Sequence, residues 1–430
     1  MAQLHDTAAR AERAFLVGVQ PDGVDRPEAE SLLRELKGLA SSLGVEVAGE
    51  LFANLRSRSA ALMVGTGKAD EIVNAAKACE ADSIIFDAPL APKQQRNWEE
   101  LSGLPVYDRA ELIIRIFGSR ALTAEAELQV ELARLRYELP RLAHFGHALE
   151  QQKGGHYGTR GSGEKKIELD RRVIERRIDE IKVELEQVRV RRGVQRRRRE
   201  KTAIPRAAIV GYTNAGKSSL LNAAAGSGVL AEDKLFATLD ATTRRLELPG
   251  GGAILLTDTV GFVRNLPHGL VEAFKATLEE ATLADLLVHV VDASDPEHER
   301  HAATTAEVLE EIGAQDVPEV LVLNKIDLVD AARLEDLRRK HPHAIFVSTK
   351  TGSGLEELAG RINEVLRAGD SEREYLIPYA EHSLVSLLHR EAQVLSEAQD
   401  EEGTLIRCRV PEKLESKLEK FRIERERERP

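Results

Sequence analysis

Between residues 14 and 118 the chain alternates short strand-like stretches with longer ones whose apolar positions recur every three or four residues. The runs at 14–19, 45–52, 61–64, 83–87 and 104–107 have strand length. Residues 27–43, where Leu32, Leu33, Leu36 and Leu39 share one face, have the helical period, as do 69–79 and 110–117. Strands alternating with helices predict βαβ units and a mainly parallel sheet. The pattern then changes. Leu128, Leu132, Leu135 and Leu139 step by four, three and four, and after a glycine-rich interruption at 154–163 the rhythm returns at Ile167, Ile174, Ile178, Ile181, Leu185 and Val188. Two such seams joined by a loop predict an antiparallel helical hairpin.

From residue 204 a second α/β pattern begins. Apolar runs at 207–210, 253–257, 286–291, 320–323 and 344–347 predict buried strands. Beyond residue 369, runs at 375–377 and 404–410 and helical stretches at 382–391 and 412–421 predict a small α+β unit, before a mixed-charge end. The expected organisation is therefore an N-terminal α/β parallel-sheet domain (1–120), a long antiparallel hairpin with a glycine-rich basic loop (121–203), a P-loop α/β domain (204–368) and an α+β domain (369–430).

The 430 residues are 42% hydrophobic and 31% charged, as in globular proteins, and no apolar run approaches the ~18 residues that would predict a membrane span. The opening residues lack the basic and apolar regions of a secretory signal. Cys79 and Cys408 have no metal-ligand neighbourhood and are expected reduced, in a cytoplasmic protein. A net charge of -11 argues against general nucleic-acid binding, but the charge is unevenly spread. Lys153, Arg160, Lys165 and Lys166 cluster around the glycine-rich loop, and Arg196, Arg197, Arg198 and Arg199 end the second helical seam. Such a basic concentration on an acidic chain suits RNA phosphates, while the bland alternative is a solvated helix face.

The candidate chemistry centres on Gly211, Tyr212, Thr213, Asn214, Ala215, Gly216, Lys217 and Ser218, which fit G-x-x-x-x-G-K-[ST] between a predicted strand and helix. The glycines let backbone amides curl round phosphates, and the helix N-terminus favours negative charge. Lys217 is suited to the β- and γ-phosphates and Ser218 to Mg²⁺. Downstream, Phe236, Ala237, Thr238, Leu239 and Asp240 supply a threonine of the kind that closes on Mg²⁺ when a third phosphate is present; Thr238 is chosen over Thr242 and Thr243. Asp258, Thr259, Val260 and Gly261 end a strand, so Asp258 can hold the metal through water and the Gly261 amide can meet the γ-phosphate. Asn324, Lys325, Ile326 and Asp327 end another. The Asp327 carboxylate can accept from both N1 and N2 of guanine, whereas adenine lacks the 2-amino group. Ser348, Thr349 and Lys350 are placed to support the base.

In order and spacing these five segments resemble the G1 to G5 boxes of a small GTPase domain. Phe236–Asp240 followed by Thr242, Thr243 and Arg244, the segment Asp258–Phe262, and the glycine-rich stretch with its flanking hairpin are similar to the HflX family of the Obg–HflX superfamily. The resemblance implies a GTPase associated with the large ribosomal subunit and its rRNA, acting in ribosome splitting, rescue or biogenesis, and monomeric. It also implies possible ATP binding by the N-terminal domain, for which Gly65, Thr66, Gly67 and Lys68 are a weak candidate beside a tight turn into a helix. Phe262 stands where Ras-like switches carry a water-orienting glutamine, so intrinsic hydrolysis is expected to be slow, with no side-chain base identified. Arg244 and Arg264 are candidates for transition-state charge. Two rival functions are an RNA-modification GTPase, whose tRNA-modifying type carries a C-terminal cysteine motif that the Arg-Glu repeats here do not match, and a nucleotide-gated scaffold.

Overall fold

The computed structural model describes residues 13–20, 23, 25–55, 59–142, 162–199, 204–226, 236, 239, 241–249, 252–264, 278–368, 370–410 and 412–423. It divides into two compact units. One holds the described residues up to Arg191 together with Phe236 and Leu239, and the other holds the remainder.

The first unit opens with β1 (Arg13–Gln20), α1 (Arg26–Ser42), β2 (Glu46–Asn54), α2 (Thr66–Ala78), β3 (Ser83–Phe86), α3 (Pro92–Ser102), β4 (Val106–Asp108) and α4 (Arg109–Arg120). All pairings are parallel, in the order β2-β1-β3-β4. The helices start where side-chain caps exist: Asp25 accepts from the Glu28 amide and Asp108 from the Glu111 amide. Phe15, Val17, Ile72, Ile84, Phe86 and Trp98 fill one core cluster, each large side chain contributing about 1.5–3 kcal/mol by its burial. On the helix side, Arg109 is buried between Asp87 (3.0 Å) and Glu35 (2.6 Å).

One expectation fails here, and one helix was not foreseen. Residues 61–64 form no strand. They lie in a turn closed by an isolated Ser59–Met63 bridge, with Met63 at φ 66°. The local cause is a competing partner, because the Leu62 carbonyl accepts the indole N–H of buried Trp98 at 3.0 Å. That tryptophan sits on α3, a helix the apolar period did not reveal because only Trp98 and Ser102 of its eleven residues are buried.

The hairpin consists of α5 (Ala124–Leu142) and α6 (Ser162–Arg199). Leu132, Ile174, Ile178 and Ile181 form its dry seam, with Leu128, Leu135, Leu139 and Leu185 at the edges. Arg177 joins the helices by two 2.9 Å hydrogen bonds to Glu131. Ser162 and Gly163, expected in the loop, are the first residues of α6, and the arginine run is helical to Arg199.

The second unit contains β5 (Arg206–Gly211), α7 (Lys217–Ala224), β6 (Thr242–Glu247), β7 (Ala253–Asp258), β8 (Leu286–Asp292), α8 (His298–Glu311), β9 (Glu319–Asn324), α9 (Ala331–Lys340), β10 (Ile345–Phe346) and α10 (Leu355–Leu366). Its sheet runs β10-β9-β8-β5-β7-β6, parallel except for β6. The unforeseen β6 carries exposed polar residues along an antiparallel edge, which erases the apolar signal. After β5 the chain builds β6 and β7 on one side of it, then crosses to β8 on the other. Central β5 therefore marks the reversal in strand order, where α/β sheets bind ligands at the strands' carboxyl ends.

A three-stranded antiparallel sheet follows: β11 (Ser371–Pro378), then α11 (His382–Glu391), β12 (Gln393–Asp400), β13 (Gly403–Val410) and α12 (Glu412–Leu418). Tyr375, Ile377, Leu388, Ile406 and Cys408 make its core. Strand β12, mostly exposed and polar, was also illegible in the apolar pattern.

Candidate functional site

Four of the five sequence-predicted segments lie at the carboxyl ends of the parallel strands. Gly211 ends β5, Asp258 ends β7 and Asn324 ends β9, while Ser348 follows β10. The phosphate-loop residues bridge β5 and α7. Gly211 (φ 146°) and Gly216 (φ 94°) hold conformations and clearances that a side chain would violate: a Cβ would stand 2.2 Å from the Val290 carbonyl oxygen and 2.2 Å from Asn324 Nδ2, respectively. Asn214 adopts φ 61° between them. Gly216 caps α7 with no side-chain hydrogen bond, at a helix N-terminus of the kind that favours an anion.

Lys217 is buried, and its Nζ donates to the Tyr212 carbonyl at 2.7 Å. Burial pulls its ammonium down to about 8, Asp258 opposing the shift and Lys325 adding to it. Ser218 Oγ donates to Asp258 Oδ2 at 2.6 Å. Two hard oxygens thus meet beside a buried cation, the donor type a small divalent ion requires.

The chain after Asp258 folds onto the phosphate loop. Thr259 turns its hydroxyl away, to the Ile209 carbonyl (2.7 Å). Phe262 is buried, donates its amide to Gly211 (3.1 Å) and accepts from the Thr213 amide (2.8 Å). At Gly261 an added Cβ would meet Thr213 Cγ2 at 2.8 Å and Lys217 Nζ at 2.9 Å, so only glycine brings this backbone so close to the lysine. Phe262 has no side-chain group to orient water. The Arg264 guanidinium, a candidate for transition-state charge, is instead engaged by Glu297 at 3.4 Å. Arg244 sits exposed on β6.

At the other end Asn324, fully buried, donates from Nδ2 to the Ala215 carbonyl (2.9 Å) and accepts from the Thr349 amide (3.3 Å), tying three segments together. Ser348 Oγ donates to one Asp327 oxygen at 2.6 Å, which steadies the exposed carboxylate. Lys325, at φ 64°, pairs with Asp292 at 2.8 Å.

Phe236 and Leu239 are buried in the first unit, where Phe236 packs edge-on against Phe117 (4.6 Å). Ala237, Thr238 and Asp240 lie outside the described residues, as do Lys153 and Arg160. Lys165, Lys166 and Arg196–Arg199 lie on α6. At the weak second motif, Gly65 is the cap of α2 and Lys68 pairs with Glu71 at 3.0 Å, the arrangement of a turn into a helix. One linkage escaped the sequence altogether: Tyr212 stacks on His301 (3.9 Å), and its hydroxyl accepts the Arg264 amide (2.9 Å). The three residues are far apart in the chain, and no motif joins them.

Three family models match in succession: "GTP-binding GTPase N-terminal" over residues 30–118, "GTP-binding GTPase Middle Region" over 120–199 and "50S ribosome-binding GTPase" over 206–325. The chain is 48% identical to the GTPase HflX of Akkermansia muciniphila, with 99% of this chain and all of that one covered. It is 41% identical to the GTPase HflX of Escherichia coli, covering 88% and 89%. A GTP-binding protein of Sulfolobus solfataricus, solved with GDP, is 27% identical over 83% of this chain and 99% of its own, with a TM-score of 0.45. Fold and site together define a P-loop GTPase, which binds GTP and hydrolyses it to GDP. More narrowly, the chain belongs to the HflX family.

Proposed function

We propose that this GTPase works on the large ribosomal subunit, in splitting, rescue or biogenesis of ribosomes, with GTP controlling its engagement. The observation that carries the reading is the match of residues 206–325 to a family described as 50S ribosome-binding. A long amphipathic hairpin whose second helix runs into Arg196–Arg199 supports it, because an arginine-rich helix end suits rRNA phosphates. Lys153, Arg160, Lys165 and Lys166 complete the proposed RNA-contacting set.

Within the site, Gly211–Ser218 hold the phosphates and Lys217 neutralises the β- and γ-oxygens. Ser218, Thr238 and, through water, Asp258 hold Mg²⁺. The 2.6 Å approach of Ser218 to Asp258 fits such an oxygen donor set. When bound, the ion supplies positive charge to the phosphate oxygens. Gly261 presents its amide to the γ-phosphate, Asn324–Asp327 read guanine, and Ser348–Lys350 back the base. Phe262 contributes no water-orienting group, so full activation comes from outside the chain.

Sedimentation of the full-length protein with purified ribosomal subunits and GTP, GDP or a non-hydrolysable GTP analogue tests the reading. Co-migration with large subunits in the triphosphate state, and its weakening with GDP, is expected. Absence from the large-subunit peak in every nucleotide state overturns it.

A further inference from the structure

The second unit holds a cluster of ligating atoms that the guanine-nucleotide site does not use. His298 opens α8, Glu299 follows it, and His341 caps the carboxyl end of α9. One ligand atom from each lies within 4.8 Å of the others, and the two imidazoles meet edge to face with centroids 6.2 Å apart. None of the three belongs to the phosphate, switch or base segments.

The hydrogen bonding of His298 sets its chemistry. The side chain is 3% exposed, and its Nδ1 lies 3.0 Å from the Asp295 carbonyl oxygen, which can only accept. The Arg333 guanidinium, which can only donate, also lies 3.3 Å from Nδ1; the shorter Asp295 contact favours the proton on Nδ1, which leaves the lone pair on Nε2. That buried Nε2 has no hydrogen-bond partner, and neither has His341 Nε2. A histidine that donates one ring N–H to a main-chain carbonyl while presenting the other nitrogen is the arrangement by which proteins orient metal-ligating imidazoles. A buried acceptor left unsatisfied is costly, and a ligand would relieve that cost.

We propose that His298, Glu299 and His341 form a site for a borderline divalent transition ion, Zn²⁺ or its congeners, with a fourth position open to water or a partner's side chain. Two imidazoles and one carboxylate suit Zn²⁺ or Co²⁺ and are a poor match for the all-oxygen preference of Mg²⁺ and Ca²⁺. Metal–ligand bonds of about 2.0–2.2 Å in a tetrahedron require ligand atoms ~3.3 Å apart. The present separations close by rotation of exposed Glu299, now 3.9 Å from His298 Nε2, and of half-buried His341, while His298 stays fixed. Lys340 approaches Glu299 at 3.6 Å and has a second carboxylate, Asp336, at 3.5 Å, so recruitment of Glu299 does not strand its charge. Arg333 likewise retains Asp336 at 3.5 Å. The ion would clip the start of α8 to the end of α9.

The test uses the full chain, stripped with chelator and then held with Mg²⁺ and GDP so that the nucleotide site is filled. It is titrated with Co²⁺ and read by visible d–d absorption, with Zn²⁺ as competitor. The wild type should take up one Co²⁺ in a low-symmetry four- or five-coordinate environment and release it to Zn²⁺. His341→Ala and Glu299→Gln, both outside the core, should each weaken Co²⁺ by at least about tenfold with unchanged GDP affinity. Absence of Co²⁺ and Zn²⁺ uptake by the wild type overturns the proposal, as does an unchanged spectrum and affinity in His341→Ala. A thiolate charge-transfer band would also overturn it, by placing the ion on Cys79 or Cys408.

Discussion

Lys217 is enclosed by the protein, and burial draws its ammonium down to about 8. A buried cation of this kind is costly alone and favourable once phosphate oxygens replace water. Lys217→Ala should therefore weaken GTP on the order of 100-fold, as expected for loss of two charge-assisted hydrogen bonds, measured by fluorescent-nucleotide titration. Wild-type affinity in that variant would remove the phosphate-loop assignment. Asp327, steadied by Ser348 at 2.6 Å, leads to a different readout. Asp327→Asn should shift preference from guanine toward xanthine nucleotides, because the carboxamide donates where the carboxylate accepted; unchanged guanine preference would refute the base-reading role. Cys408 supplies a pH test. Burial pushes its thiol from the ordinary 9.0 to about 12, so folding keeps the proton that the unfolded chain releases. Its contribution to stability is complete below pH ~9 and is lost as pH rises toward 12. In native protein at pH 8–9, a thiol reagent should modify Cys79 and spare Cys408 until the chain unfolds.

Helices and strands were legible where the apolar signal was local. The heptad seam predicted the packing of Leu132 against Ile174, Ile178 and Ile181 because each repeat reports its own buried face. Ile181, wholly buried there, should cost about 2–5 kcal/mol on truncation to alanine, seen as a lowered denaturation midpoint. Where burial is one-sided or marginal the signal vanishes. Strands β6 and β12 lie mostly exposed and polar, and α3 is anchored chiefly by Trp98. Residues 61–64 misled for the opposite reason: an apolar run that looks like a strand is held as a turn by the Trp98 contact, 36 positions away in sequence. The nucleotide motifs were readable because a phosphate loop is eight consecutive residues. The contacts that brace it were not, since Asn324 reaches Ala215 across 109 residues and Tyr212 reaches Arg264 across 52.

Taken over its full length, the chain joins a GTPase unit to a parallel-sheet domain bearing a long, basic-ended hairpin. An overall charge of -11 alongside a run of four arginines means that positive charge is concentrated locally in that run. No described helix is long and apolar enough to cross a membrane. Phe262 is buried and its side chain has no polar group that could orient a hydrolytic water, which is why the proposed role assigns activation to a partner outside the chain. The decisive measurement is the GTPase rate of the full-length protein titrated with purified large ribosomal subunits across a range of salt. A saturable rise well above the basal rate, weakening as salt increases, is the predicted result; a rate that stays basal at every subunit and salt concentration would contradict the ribosomal assignment.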